Sequence, residues 1–475
     1  MSNGTVAAVD LGATSGRVIV GRVGPDTLET VQVARFPNNP MSTPDGLHWD
    51  VRGLNNAVLD GLRSAFHTEP TIASIGVDGW AVDYGLLRNG RLLAPPFHYR
   101  DDRTSHGVQI VHEQFPHEDL FARNGLQFLP FNTLYQLAAE GPEALTAADT
   151  LLLIPDLIGY WLTGQARTER TNASTTGLLR VADGTWDDQL ITDLGIPADL
   201  FAPLITAGER LGGILPAVAT RIGAGPRAVV TAVGSHDTAS AVVAVPMQPD
   251  AAVYISCGTW GLVGVEVNRP ILTSDSLESN FTNEAGVDGR TRLLHNVMGL
   301  WILTETLRGW KSEGHSADLS ELLSTAAGID RRTVPLFDVN DPRFLPPGDM
   351  PARIDMWCAE QNIPAPRTHG EYVRSIIESL AQAFADTAHR AADISGIDAR
   401  TIHIVGGGAM NGPLCQSTAD RAGLPVLAGP IEATAIGNVL IQARSLGLVS
   451  GDLETLRALV LRTSNVTRYE PRTSW

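Results

Sequence analysis

Lysine is nearly missing from this chain. Of its 35 basic residues only Lys311 is a lysine, so chemistry built on a lysine amine has one candidate at most. Lys311 stands in Gly-Trp-Lys-Ser-Glu-Gly, and no Gly-x-x-x-x-Gly-Lys occurs anywhere, which excludes a Walker-type phosphate loop. Cysteine is scarce as well. Cys257, Cys358 and Cys415 lie too far apart for a zinc knuckle, and an odd, sparse set fits a reducing compartment. Positive charge is in short supply: the net charge is −17 and the pI near 5.1. A duplex-binding surface needs a basic patch, and none is visible, so no nucleic-acid partner is expected. An acidic chain can still hold an anion, provided backbone N–H groups, a metal ion or a few arginines do so locally. Long apolar runs are absent too. Leu151 to Leu162 is short and contains Asp156, so no membrane partner is expected. The opening Met-Ser-Asn-Gly-Thr lacks the basic segment and apolar core of a secretory leader, which makes cytoplasm the expected compartment.

What is present suits two cores. At 475 residues, with 43% hydrophobic and 18% charged side chains, the chain is long and apolar enough for two folded domains. Thr5 to Val9 is a β-rich run ending at Asp10, followed by the turn-rich Leu11-Gly12-Ala13-Thr14-Ser15-Gly16 and a second β run from Arg17 to Arg22. Glu29 to Phe36 alternates and predicts a third strand, and Ile72 to Val77 a buried one ending at Asp78. Ala228 to Val233 reads as a strand, Gly234-Ser235-His236-Asp237-Thr238 as a turn, and Ala239 to Val245 as a small apolar helix. Pro246 to Asp250 carries turn chemistry and marks the expected boundary between domains 1–245 and 246–475. Beyond it, Ala252 to Ser256, the bend Cys257-Gly258-Thr259 and Trp260 to Val265 repeat the opening strand–turn–strand, which suggests a duplicated fold. Helical spacing over Glu371 to Ile394, a strand at Thr401 to Val405 and a helix at Pro413 to Ala422 complete an α/β pattern.

Four places offer chemistry, each beside a plainer reading. Around Asp10 to Arg17, small residues let the backbone approach a phosphate, the Thr14 and Ser15 hydroxyls add donors, and Asp10 is placed to hold Mg²⁺ through water. The plainer reading is an ordinary hairpin turn. Gly258 lies in a second such bend, and two bends facing one another would clamp a polyphosphate without lysine. Gly16 and Gly258 are expected to sit where backbone meets phosphate, with positive φ. The loop Gly406-Gly407-Gly408-Ala409-Met410-Asn411 follows a strand. Asn411 stands where a dinucleotide fingerprint needs glycine, so adenosine lying on the backbone fits better than a Rossmann site, and a plain strand-to-helix turn stays open. Asp237 lies where a strand gives way to a helix, as a base for a phosphoryl acceptor should, although helix capping explains such an aspartate equally well. His236 beside it has no Gly-x-Ser-x-Gly elbow to serve, which removes the hydrolase reading.

Taken together these stretches resemble the FGGY carbohydrate kinases of the actin/hexokinase/Hsp70 superfamily. The likeness rests on residues 9–17 (Val-Asp-Leu-Gly-Ala-Thr-Ser-Gly-Arg), 99–104, 127–137 (Gln-Phe-Leu-Pro-Phe-Asn-Thr-Leu-Tyr-Gln-Leu) and 171–176. It continues through 235–242 (Ser-His-Asp-Thr-Ala-Ser-Ala-Val), 258–260, 296–301 and 403–408, and runs to about residue 470. The resemblance implies two actin-like domains flanking a deep cleft, with ATP and a divalent cation, Mg²⁺ or another, on one side and sugar on the other. It places Ala13, Thr14, Ser15, Gly16, Arg17, Thr259, Thr304, Gly407 and Asn411 at ATP. Ala81, His236, Asp237, Thr238 and Asn296 would touch sugar, with Asp237 as proton acceptor and Asp10 as the metal-associated carboxylate. Three residues depart from the pattern. Ala81 stands for a glycine, Thr304 for a glutamine and Cys257 for a serine. Residues 127–137 and 235–242 match best those members that phosphorylate L-rhamnulose on its 1-hydroxyl. The alternatives are a kinase for L-fuculose, L-xylulose, D-xylulose or another polyol, a catalytically silent sugar or nucleotide sensor on the same fold, and a nicotinamide oxidoreductase.

Overall fold

The computed structural model describes residues 3–315 and 318–472. Met1 and Ser2, part of the stretch read above for a leader, lie outside them. The chain forms two compact units. The first takes the chain up to Pro246, then Glu266–Leu293 and Ala433–Thr463; the second takes Met247–Val265, Leu294–Glu432 and the chain from Ser464 on.

The first unit is built on strands β1 (Gly4–Leu11), β2 (Ser15–Gly24) and β3 (Thr27–Pro37), an antiparallel meander. Helix α1 (Val51–Thr68) follows, and its start is fixed by the Asp50 carboxylate accepting from Gly53 N at 2.9 Å. Leu54, Val58, Leu62 and Phe66 recur at helical spacing and supply its buried face. Strand β4 (Ser74–Gly79) lies parallel to β1. Both are buried along nearly their whole length, which is why Val6-Ala7-Ala8-Val9 reads as a continuous apolar run without alternation. Helix α2 (Thr133–Ala138) precedes the edge strand β5 (Arg210–Gly213) and its neighbour β6 (Val229–Thr231), giving the sheet order β5-β6-β4-β1-β2-β3. Helix α3 (Asp237–Val243) leaves from the turn after β6.

The late helix Ala433–Ser445 closes this unit. A Cβ on Gly437 would lie 1.8 Å from the Ser240 carbonyl oxygen, so only glycine lets that helix pack on α3. At the next residue the Asn438 amide donates to Asp78 Oδ2, and one turn further Gln442 donates to the Ala7 carbonyl on β1 at 3.0 Å.

The second unit repeats the plan. Strands β7 (Ala252–Cys257) and β8 (Trp260–Val267) form an antiparallel hairpin. Helix α4 (Trp301–Ser312) comes next, then α5 (His369–Ser395), whose capping box joins Thr368 and Glu371 and whose end is turned by left-handed Gly396. Strand β9 (Thr401–Val405) is parallel to β7, helix α6 (Gly412–Ala422) follows, β10 (Val426–Ala428) is parallel to β9, and β11 (Thr467–Tyr469) is antiparallel to β10. From its hairpin outward each unit therefore pairs antiparallel, parallel, parallel, antiparallel. The Phe384 ring of α5 fills the place a side chain would take at Gly261.

Since α3 begins with Asp237, the Gly437 contact bears on function. Gly437→Ala is expected to cost about 1–3 kcal/mol by overpacking and to lower kcat in the fraction that folds. Urea unfolding with steady-state kinetics on the same sample checks both; unchanged stability would show that the two helices have room to part.

Candidate active site

Asp237 is the first residue of α3, and its side chain is 32% exposed, which leaves it within reach of a ligand. Its neighbours are not exposed. The Thr238 hydroxyl donates to Asp237 Oδ1 at 3.1 Å, and His236 Nε2 lies 3.5 Å from the same oxygen. The loop before the helix is held from behind. Ser235 N donates to Glu169 Oε2 at 2.9 Å, His236 N to Thr171 Oγ1 at 3.3 Å, and Gly79 N to the Ser235 carbonyl at 2.9 Å. Glu169 is fully buried, and burial pushes its carboxyl above the usual range despite the Thr171 and Ser235 donors. This explains why residues 171–176 belong with the site although they carry no reacting group.

Ala81 follows β4 in the loop Trp80-Ala81-Val82-Asp83. Val82 has φ of 66°, a region a β-branched residue rarely adopts, so the loop is strained by roughly 1–3 kcal/mol and has to be held. Helix α2 holds it: Thr133 Oγ1 donates to the Val82 carbonyl at 2.7 Å and Gln136 Nε2 to Asp83 Oδ1 at 2.9 Å. Asp83 Oδ2 accepts from Trp49 Nε1 at 2.6 Å, Trp80 Nε1 at 3.0 Å and Tyr99 N at 3.3 Å. Four donors converge on one buried carboxylate. Burial raises its pKa to about 6 in spite of them. The stretch 127–137 thus acts by fixing the loop that presents Ala81.

In the first bend, Gly12 N donates to the Ser15 carbonyl at 3.0 Å. Asn38 ties the bend down, its backbone N donating to the Thr14 carbonyl at 3.0 Å and its side chain to the Gly12 carbonyl at 2.9 Å. Ala13 and Ser15 are partly exposed and Thr14 is exposed. Arg17 is already engaged: its Nε and Nη2 reach Asp10 Oδ2 at 2.9 and 2.8 Å across the β1–β2 pair. Asp78 is the register neighbour of Asp10 on β4. Burial first, then the Asp10 charge, raises the Asp78 carboxyl well above the usual range, and its Oδ1 is buried without a hydrogen-bond partner. Among the described residues no three metal-binding side chains cluster. A hard cation needs no such cluster, since it takes one or two carboxylates and keeps its waters, and the oxygen donors Asp10 and Asp78 fit that chemistry.

The second unit holds the other bend. Gly258 N donates to the Trp260 carbonyl at 2.8 Å, Leu300 N to the Gly258 carbonyl at 2.9 Å, and Trp301 N to the Thr259 carbonyl at 3.3 Å. Thr304 is exposed on the first turn of α4, and Asn296 lies on the strand Thr291–Met298. Gly406 has φ of 80° and is backed by the Cys257 carbonyl, while the Cys257 thiol fills the space where Gly408 would carry a side chain. Cys257, the departure from serine, is therefore a packing group, and burial pushes its thiol far up. Asn411 is buried, and its side-chain oxygen accepts from Leu414 N at 3.1 Å to cap α6.

One expectation is corrected. Neither Gly16 nor Gly258 has positive φ. Gly16 is required because the Phe36 ring on β3 lies where its Cβ would be, 2.2 Å away. A Cβ at Gly258 would meet nothing within 4 Å. Asp78, Asp83, Glu169 and Asn38, which hold these loops, are not among the residues the sequence singles out for the site. For Asp78 and Asp83 the signal was their place in Asp-Gly-Trp-Ala-Val-Asp beside Ala81; for the others the sequence carries none.

A pair of like-built α/β units, with small-residue bends after the first strand of each and a carboxylate at a helix head, defines a phosphoryl-transfer class of protein. The chain belongs to the FGGY family of carbohydrate kinases: the family's N-terminal domain matches residues 5–244 and its C-terminal domain residues 253–446. Its fold is accordingly the two-domain actin-like one. The chain is similar to a rhamnulokinase of Bacteroides thetaiotaomicron, at 37% identity over 98% of this chain and 95% of the relative. It is also similar to a rhamnulokinase of Klebsiella pneumoniae strain 342, at 39% identity over 98% and 94%. Among solved structures it resembles a gluconate kinase of Lactobacillus acidophilus, with a TM-score of 0.79 at 17% identity over 99% of this chain and 94% of that one. A Plasmodium falciparum glycerol kinase with ADP gives 0.78 at 14% identity over 99% and 95%. These last two bear on the fold alone. No described helix is long and apolar enough to cross a membrane.

The two glycines should now behave differently. Gly258→Val is expected to fold normally and to raise KM for ATP more than KM for sugar. Gly16→Val is expected to lose stability first, since Phe36 must move. Thermal unfolding with both KM values separates them; a destabilised Gly258→Val that binds ATP normally would remove that bend from the phosphate site.

Asp83 sets a pH dependence. Its folded pKa of about 6 lies above its ordinary 3.8, so the folded state binds the proton more tightly. Its stability contribution is full below about pH 4 and is lost as pH rises through about 6, by about 3 kcal/mol at about 1.4 kcal/mol per pH unit. Subtracting the unfolding free energy of Asp83→Asn from that of the natural protein, at each pH from 4 to 7, should show this decline and then a plateau. A flat difference would mean that Asp83 stays ionised throughout.

Proposed function

We propose that the chain transfers the γ-phosphoryl group of ATP to the 1-hydroxyl of L-rhamnulose, giving L-rhamnulose 1-phosphate and ADP. The observation that carries this is the setting of Asp237: an accessible carboxylate at a helix head with both its neighbours fixed, in a chain 37–39% identical to rhamnulokinases over 98% of its length. Asp237 takes the proton of the 1-hydroxyl as that oxygen bonds to phosphorus and the bond to ADP breaks. Little else is asked of the protein than to position the reactants and balance charge.

His236, Thr238, Asn296 and the Ala81 loop are assigned to the sugar. Ala13 to Arg17, Thr259, Thr304, Gly407 and Asn411 are assigned to ATP. For Arg17 that role requires it to share its guanidinium with Asp10, and for Asn411 it leaves only groups not used in capping α6. Asp10, with Asp78 beside it, would hold Mg²⁺ through water, and the ion would neutralise charge on the phosphates. The rigid support behind Ala81 favours a pocket that pairs particular hydroxyls, and a wrong epimer then leaves buried polar groups unmatched, at a cost of roughly 10⁴-fold or more.

Sugar-dependent ADP release across a ketose and polyol panel is the test. L-Rhamnulose is expected to give the highest kcat/KM, and Asp237→Asn to fold, bind ATP and lose roughly 10²–10⁴-fold in kcat. A tenfold preference for D-xylulose or L-fuculose, about 1.4 kcal/mol, would refute the substrate. Near-normal turnover by Asp237→Asn would refute the base, and no sugar-dependent release at all would refute the kinase reaction and leave the sensor reading.

A further inference from the structure

We propose that Glu284 and Arg292 are positioning residues for Asp237, acting through the imidazole of His236; this rests on the reading of Asp237 as the base. All five residues concerned, His236, Asp237, Thr238, Glu284 and Arg292, belong to the first unit. The Arg292 side chain is fully buried and that of Glu284 is 7% exposed, and they form an ion pair with Nη2 and Oε2 3.0 Å apart. Burial opposes the Glu284 charge, but Arg292 and His236 outweigh it and hold its carboxyl below the usual range. Arg292 is clamped in turn, since its Nε and Nη2 donate to the Ala285 carbonyl at 3.2 and 3.1 Å.

The pair meets His236 at one ring nitrogen. Arg292 Nη2 and Glu284 Oε2 lie 3.1 and 3.2 Å from His236 Nδ1. Both members of the pair therefore face Nδ1, which leaves Nε2 on the other side of the ring. That nitrogen is the one 3.5 Å from Asp237 Oδ1, the oxygen that also takes the Thr238 hydroxyl. Oδ1 thus has the Thr238 hydroxyl and the His236 ring beside it, and Oδ2 is left to receive the proton of the sugar hydroxyl. Stability alone does not ask for this arrangement, because replacing a buried ion pair by apolar side chains is often neutral or stabilising.

The double substitution Glu284→Met with Arg292→Met removes the pair without stranding a charge. It is expected to fold, to leave KM for ATP within about twofold and to lower kcat about 10²-fold, the cost of a small misplacement of a catalytic group. In an Asp237→Asn background the same double substitution should change kcat by no more than about twofold, because residues acting as a unit are not additive. A purely structural role would cost the same factor in both backgrounds. Arg292→Lys keeps the charge but not the fork, and is expected to reproduce the loss of kcat should the double variant fail to fold. A folded double variant, or a folded Arg292→Lys, with near-normal kcat would overturn the proposal. So would equal losses in the two backgrounds. Asp237→Asn by itself is the separate control: near-normal turnover there refutes the base, whereas a large loss there with an additive pair effect refutes only the positioning role.

Discussion

A carboxylate taken out of water must be met by donors, by a cation or by a proton, and among those the first unit buries are Asp83, Glu169, Glu284 and Asp78. Asp83 collects four N–H donors and thereby fixes the strained loop beside Ala81. Glu169 takes the Ser235 N–H and fixes the turn into α3. Glu284 is met by Arg292 and His236, and Asp78 by Asn438. Each solution ties down a different piece of backbone, and the pieces are those that carry the residues assigned to sugar and base. Asp237, unlike these four, remains accessible.

The same constraint explains why late segments return to the first unit. Asp78 needs a donor on the face of β4 that no early element supplies. Helix Ala433–Ser445 brings Asn438 there, and Gly437 lets the helix come close enough. Glu266–Leu293 likewise brings Glu284 and Arg292 to His236. A chain with a single lysine uses arginine for these duties, and arginine suits them because its planar fork serves two acceptors at once, as Arg292 does for Ala285 and Glu284.

How far the sequence could be read follows from the range of each interaction. The hairpin at Asp10, the buried strand ending at Asp78, the long helix before β9 and the turn at Asp237 were legible because hydrophobic periodicity and turn residues act within a few positions. Asp237 stood out as a strand-to-helix carboxylate with a reading in chemistry and another in capping. The structure shows it without a capped N–H of its own and with its Oδ1 engaged by Thr238. Gly16 was legible as a necessary glycine, but not for positive φ: what forbids a side chain there is the Phe36 ring on the adjacent strand, and cross-strand neighbours are set by register.

By itself, then, the sequence determined the α/β alternation, the repeated strand–bend–strand, the absence of a lysine-based phosphate loop and the family. All of these rest on local pattern and on residue types. Only the tertiary structure decided that residues 266–293 and 433–463 join the first unit, that Asn411 caps a helix, and that Cys257 fills the space beside Gly408. It alone decided that Arg292, 55 residues beyond Asp237, contacts the ring next to it. These are contacts between segments far apart along the chain. Their partners are chosen by which buried polar group still lacks one, and no local pattern records that.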